Sequence, residues 1–141
     1  VITFDKRHGD KIAEVAGFLF NSSHDVVIAN CNSVGELLGG VVYYDYTGRS
    51  ISMHVAGFSP HWISRDMLWT TFNYPFNQLR CASIFCQLRS SNLKVLEFVR
   101  KVGFKREAII EDVFPDGDLV IGRLRFEECR WINIKPHYLW R

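Results

Sequence analysis

The sequence predicts an α/β fold: a mixed, mostly antiparallel sheet of about seven strands with three helices. Three observations carry this prediction. Short β-branched runs such as Val26 to Cys31 recur along the chain. Two pairs of runs are joined by hairpin signals, Tyr46-Thr47-Gly48-Arg49 and Pro115-Asp116-Gly117-Asp118. Three other stretches place apolar residues at helical spacing behind a short polar capping residue.

In order, Val1 to Phe4 reads as a short strand. Lys11 to Phe20 reads as a helix, with Asp10 as its cap and Ile12, Val15, Ala16 and Leu19 on one side. Val26 to Cys31 is a strand, and Asn32 to Gly35 a turn. Leu37 to Tyr46 is a long strand with Gly39-Gly40 inside it, and Ser50 to Ala56 returns antiparallel to it. After the break Gly57-Phe58-Ser59-Pro60, Ser64 caps a helix whose apolar side is Met67, Leu68, Thr71 and Phe72. Pro75 is expected to end or kink it. Cys81 to Leu88 is the next strand. Ser91 or Asn92 caps the third helix, Leu93 to Val102. Its buried face combines Leu93, Leu96 and Val99 with Val95, Phe98 and Val102, and Gly103 sits where a positive φ closes a helix. Strands Arg106 to Phe114 and Leu119 to Phe126 follow.

A length of 141 residues fits one domain, and 48% hydrophobic with 14% aromatic content is enough for a core. A net charge of +2 does not call for nucleic acid as a partner. Cys31, Cys81, Cys86 and Cys129 include no CxxC pair, so no metal site is expected. Reduced, packed thiols point to the cytoplasm. No apolar run approaches the roughly 20 residues of a membrane span, and VITFDKRHGD has no signal-peptide pattern.

The run from Asn92 through Phe98 to Lys101-Val102-Gly103-Phe104 resembles the last motif of the GNAT N-acetyltransferase superfamily. There an Asn opens an amphipathic helix that ends on Lys/Arg-x-Gly-Phe. Pro115 to Ile121 and Glu127-Glu128-Cys129-Arg130-Trp131 resemble the closing hairpin of the branch that includes ribosomal-protein and aminoglycoside N-acetyltransferases. The order of elements is also similar. The resemblance runs from Val1 to about Trp131, which divides the chain into a domain at 1–131 and an aromatic, basic tail at 132–141.

The resemblance implies a GNAT-like sheet with a splayed parallel pair in its middle, where acetyl-CoA lies. The backbone of Met53, Val55 and Gly57 would pair with the pantetheine arm as an added strand does. The pyrophosphate would rest on the next helix start. The family's Gln/Arg-x-x-Gly-x-Gly/Ala is missing there, so Trp62, Ile63, Ser64 and Arg65 would hold it, with His61 adding charge at low pH. His54 stands close to the family's usual base, and imidazole has a suitable pKa. Asn92 stands where the family contacts pantetheine, and it reads equally as a helix cap. The family's usual acid, a Tyr after the aromatic at Phe98, is replaced by Val99. Tyr43, Tyr44 and Tyr46 are candidates for the acceptor side, and Glu107, Glu111 and Asp112 for holding an amine or activating a water.

The implied activity is acetyl transfer from acetyl-CoA to a primary amine on a small molecule, a peptide N-terminus or a lysine. The alternative is a silent GNAT-fold binding or scaffold protein, with Trp131, Tyr138 and Trp140 offering a protein contact. Dimers are common in this family, and a homodimer through Leu119–Phe126 is a further expectation.

Overall fold

The computed structural model describes residues 1–134 and Pro136. Strands β1 (Ile2–Thr3), β2 (Val26–Cys31), β3 (Leu37–Tyr44), β4 (Ser50–Gly57), β5 (Ser83–Arg89), β6 (Lys105–Phe114) and β7 (Gly117–Arg125) form one sheet. Its order is β1-β2-β3-β4-β5-β7-β6. Every neighbouring pair is antiparallel except β4 and β5, which run parallel. Helices α1 (Gly9–Ala16), α2 (Arg65–Asn73) and α3 (Leu93–Val102) complete the fold.

The sheet is covered on both faces, and strand alternation sorts the residues between them. Val27, Ala29, Val42 and Ala56 meet Ile12 of α1. Ile28, Val41, Tyr43, Ile51 and Met53 meet Met67 and Phe72 of α2 and Val99 and Val102 of α3. All four cysteines are free thiols buried in the protein. Among the described residues no helix is long and apolar enough to cross a membrane, and no group of His, Cys, Asp and Glu could hold a metal.

The first helix is shorter and earlier than its sequence pattern predicts. Asp5 caps a 3-10 turn at Lys6–His8, accepting from the Arg7 N–H at 3.0 Å, and α1 continues from that turn. Gly17, at φ 86°, ends it. Asp10 therefore lies in the first turn rather than at the cap. Val15 and Leu19 are 57% and 93% exposed, so the buried side is Ile12 and Ala13. Phe18 and Phe20 fold back onto the sheet beyond the helix end.

As expected, the regular α-helix ends at Asn73, just before Pro75. The chain continues as a π turn at Tyr74–Gln78, and the wider i→i+5 bond from the Leu79 N–H to the Tyr74 carbonyl (3.0 Å) spans the proline. β5 starts at Ser83, and Cys81 is tied to the preceding loop by its N–H to the Pro75 carbonyl. α3 has the predicted bounds, but Leu93 at its first position is 74% exposed and not part of the buried face. β7 lies between β5 and β6, so Leu119–Phe126 offers no free edge for a dimer. The edge strand on that side is β6, and β1 forms the other edge.

Candidate functional site

The parallel pair is short. Ser50, Ile51 and Ser52 of β4 match Ser83, Ile84 and Phe85 of β5, and there the register ends. β5 continues alongside β7 to Arg89, while β4 continues alongside β3 to Gly57. The second half of β4 therefore presents one edge away from β5, toward a space bounded by α2 and α3. Met53, Val55, Trp62, Ile63, Leu68, Phe98 and Val99 are among the residues lining it.

On the opposite face of β4 lies an open cavity of about 710 Å³, within the usual range for small-molecule sites. His54 forms one wall. Its ring is stacked between Phe18 (centroids 3.8 Å apart) and Tyr44 (4.6 Å), and burial lowers its pKa from 6.5 to about 4. At neutral pH the imidazole is uncharged, so it can accept a hydrogen bond but has little tendency to keep a proton. Tyr44 and Tyr46 line the same cavity, as do His24, Asp25, Asp45 and Gln87. Burial first, and the Asp45 charge second, raise the Tyr44 pKa. Among the described residues the buried Tyr44 hydroxyl has no partner within hydrogen-bond geometry, and the nearby Ser52 side chain only tempers the rise in pKa. Buried polar atoms are seldom left unmatched, and Tyr44 is one of the residues that line the cavity. Among the described residues neither Asp25 nor Asp45 enters an ion pair. Asp25 is 7% exposed and accepts the Asn21 N–H at 2.8 Å. Two carboxylates thus line the cavity, and among the described residues no Lys or Arg does.

No family model matches the sequence, and no curated protein does. Solved structures match well. A mutant form of the spermidine/spermine N-acetyltransferase from Vibrio cholerae aligns with a TM-score of 0.63 at 16% identity, over 80% of this chain and 72% of that one. A GNAT-family acetyltransferase from Bacillus anthracis gives 0.59 at 17% identity, over 74% and 68%. A probable acetyltransferase gives 0.63 at 18% identity, over 74% of this chain and 63% of that one. The chain has the GNAT acetyltransferase fold.

The GNAT fold implies acetyl-CoA between the parted strands, and the residues there can be tested against that group. The strand edge suits an amide-bearing arm. The side chains do not. The space between β4, α2 and α3 is reduced to about 10 Å³, room for about one water. Trp62 lies across it, 5.9 Å from the Phe98 ring. The helix start is also altered, since Ser64 caps α2 by accepting the Met67 N–H (3.1 Å) and Asp66 adds negative charge to the first turn. With the indole in this position, the space between β4, α2 and α3 is too small for a pantetheine arm.

The predicted site residues separate into groups. Met53, Val55, Trp62, Ile63 and Phe98 converge on the groove, and Gly57 ends β4 beneath Trp62. Ser64 and Arg65 open α2 at its mouth. His54 belongs to the cavity on the other face. Asn92 lines neither space, and its side chain accepts the Val95 N–H at 3.2 Å as the α3 cap. Tyr43 is buried on the α2 side, its hydroxyl donating to the Thr71 carbonyl, so it does not line the acceptor cavity. Glu107 pairs with Arg123 at 3.1 Å on edge strand β6, and neither it nor Glu111 or Asp112 lines the cavity. Trp131 packs on the core and donates to the Val102 carbonyl at 2.7 Å, which removes it from the expected contact surface. Tyr138 and Trp140 lie outside the described residues.

Sequence reasoning overlooks Phe18, Asp25, Asp45, Asn30 and Gly39. In the sequence Asp45 reads as part of the strand Leu37 to Tyr46 and Asp25 merely precedes a strand, and only the folded sheet places both on one cavity wall. Asn30 and Gly39 do carry a signal: a polar residue and a glycine inside apolar strands mark a place where something else approaches.

Proposed function

We propose that this chain is an N-acetyltransferase acting on a cationic primary amine, with acetyl-CoA as donor. The observation that carries this reading is the parallel pair that parts after Ser52, with an acidic, aromatic cavity directly across β4. One strand thus separates a donor groove from an acceptor pocket. Asp25 and Asp45 attract an ammonium group, and the rings of Phe18, Tyr44 and Tyr46 add favourable cation–π faces. The orphaned Tyr44 hydroxyl gains a partner when a polar ligand enters. His54 presents a neutral nitrogen that accepts from the amine. With a pKa near 4 it is far from an alkylamine near 10, so its part is to orient the amine rather than to strip its proton.

The likeness to a spermidine/spermine N-acetyltransferase fits a polyamine acceptor, because a second ammonium would answer the second carboxylate. The resemblance of Pro115–Ile121 and Glu127–Trp131 to the branch of ribosomal-protein and aminoglycoside N-acetyltransferases keeps a peptide amine as the other acceptor, and an acceptor panel separates the two. Mixing the protein with acetyl-CoA and spermidine, spermine or a lysine peptide should release free thiol. Asp45→Asn should lower kcat/KM for the preferred amine about tenfold and leave the melting temperature in place. Absence of thiol release with every amine would refute the reading.

A second reading is a GNAT-fold protein that binds amines without turnover. The closed groove and Val99, where the family has a tyrosine, favour it. Under that reading spermidine binds calorimetrically, and no thiol is released.

A further inference from the structure

The closed groove is built by several residues acting together. Gly39 of β3 and Gly57 of β4 face each other across the ladder, and Asn30 of β2 is the next partner in the same row. The Trp62 side chain lies over this row. A Cβ added at Gly57 would stand 2.3 Å from the indole nitrogen, and one at Gly39 would stand 2.6 Å from the ring. No other residue type leaves that bed flat. Asn30, 7% exposed, donates from its side-chain amide to the Trp62 carbonyl at 2.8 Å and pins the loop. On its other flank the indole meets Phe98. Three neighbouring strands thus supply matched positions that hold one tryptophan over the half of β4 that has left β5.

We propose that Trp62 is a resident plug of the donor groove, so that a ligand of the pantetheine thioester class binds by displacing it. The proposal rests on the acetyltransferase reading and adds to it what sets donor affinity. The indole occupies the groove in the ligand-free chain, and each binding event first undocks it from Gly39, Gly57 and Phe98. Donor affinity is therefore lower than the groove itself allows.

Two substitutions separate the plug from an ordinary groove wall. Trp62→Ala removes the indole. Gly57→Ala keeps the indole and the strand backbone but sets a methyl group where the ring nitrogen lies. Acetyl-CoA binding to the full chain is measured by calorimetry for the parent and both variants, with circular dichroism confirming that each is folded. Acetyl-CoA should bind both variants at least tenfold more tightly than the parent. If Trp62→Ala does not fold, Gly57→Ala decides alone. Saturable binding to the parent with equal or weaker binding to the variants would overturn the plug and make Trp62 a wall that contacts the donor, leaving the acetyltransferase reading intact. No binding by any of the three at millimolar acetyl-CoA would overturn both.

Discussion

Lowering the pH from 7 to 4 should weaken this protein through His54, and the size of the effect follows from where its ring lies. Burial between Phe18 and Tyr44 takes the imidazole pKa from 6.5 to about 4. In the unfolded chain the same group is protonated below 6.5. Between pH 6.5 and 4 the unfolded state therefore binds the extra proton, and stability falls as the pH falls. Above 6.5 the contribution is fully present, and below 4 it is gone. At 1.36 kcal/mol per pKa unit, the displacement is worth about 3 kcal/mol. The ring borders an open cavity, and solvent screening reduces this to about 2 kcal/mol. That is roughly a 30-fold change in the folded-to-unfolded ratio. Asp25, Asp45 and His24 also line the cavity, so the measurement is a difference. Urea unfolding at pH 7, 5.5 and 4.5 is compared between the parent and His54→Gln, in which those groups remain. The parent should lose about 2 kcal/mol more than the variant across this range. Parallel loss in both proteins, or an NMR titration placing His54 near 6.5, would refute the reasoning.

Three other outcomes follow from single side chains. Asn92→Ala should cost about 1 kcal/mol in urea unfolding by removing the α3 cap, whereas Asn92→Asp, which can still accept the Val95 N–H, should cost almost nothing. A rise in the KM for acetyl-CoA in the Asp variant as well would show a second role beyond capping. Tyr44→Phe removes a buried hydroxyl without a partner, so thermal stability should hold or rise while amine affinity falls several-fold by calorimetry. Gly103→Ala should destabilise by about 1 to 2 kcal/mol in urea, because φ is 121° although the space beside it is open, with Leu124 at 3.6 Å. An unchanged midpoint would refute the conformational argument.

Reading the sequence alone succeeds where the chain's own neighbours decide the outcome. β2 at Val26–Cys31 and α3 at Leu93–Val102 have the expected bounds. In the first a β-branched run is enough. In the second, Asn92 and Gly103 mark both ends through local backbone chemistry, and the Ser64 cap of α2 is legible for the same reason. The strand and helix order, and with it the fold, comes from signals of this kind. Tertiary structure decided the rest. Helical spacing put Val15 and Leu19 on the buried side of α1, but Gly17 ended the helix first and the following phenylalanines filled that place. Adjacent tyrosines on β3 look alike in sequence, yet alternation sends Tyr43 into the core and Tyr44 to the cavity. Glu107 near the start of β6 and Asp45 just after β3 are both acidic, and only the sheet order places one on an outer edge strand and the other at the cavity that His54 lines. The donor groove shows the difference most clearly. Its strand pair is implied by the order of elements, but whether it stands open depends on Asn30, Gly39, Gly57 and Trp62. These residues are scattered over 33 positions and meet because three strands align Asn30, Gly39 and Gly57 in one row and Trp62 lies over it. A contact between distant residues leaves no periodic trace in either partner, so only the folded chain can reveal it.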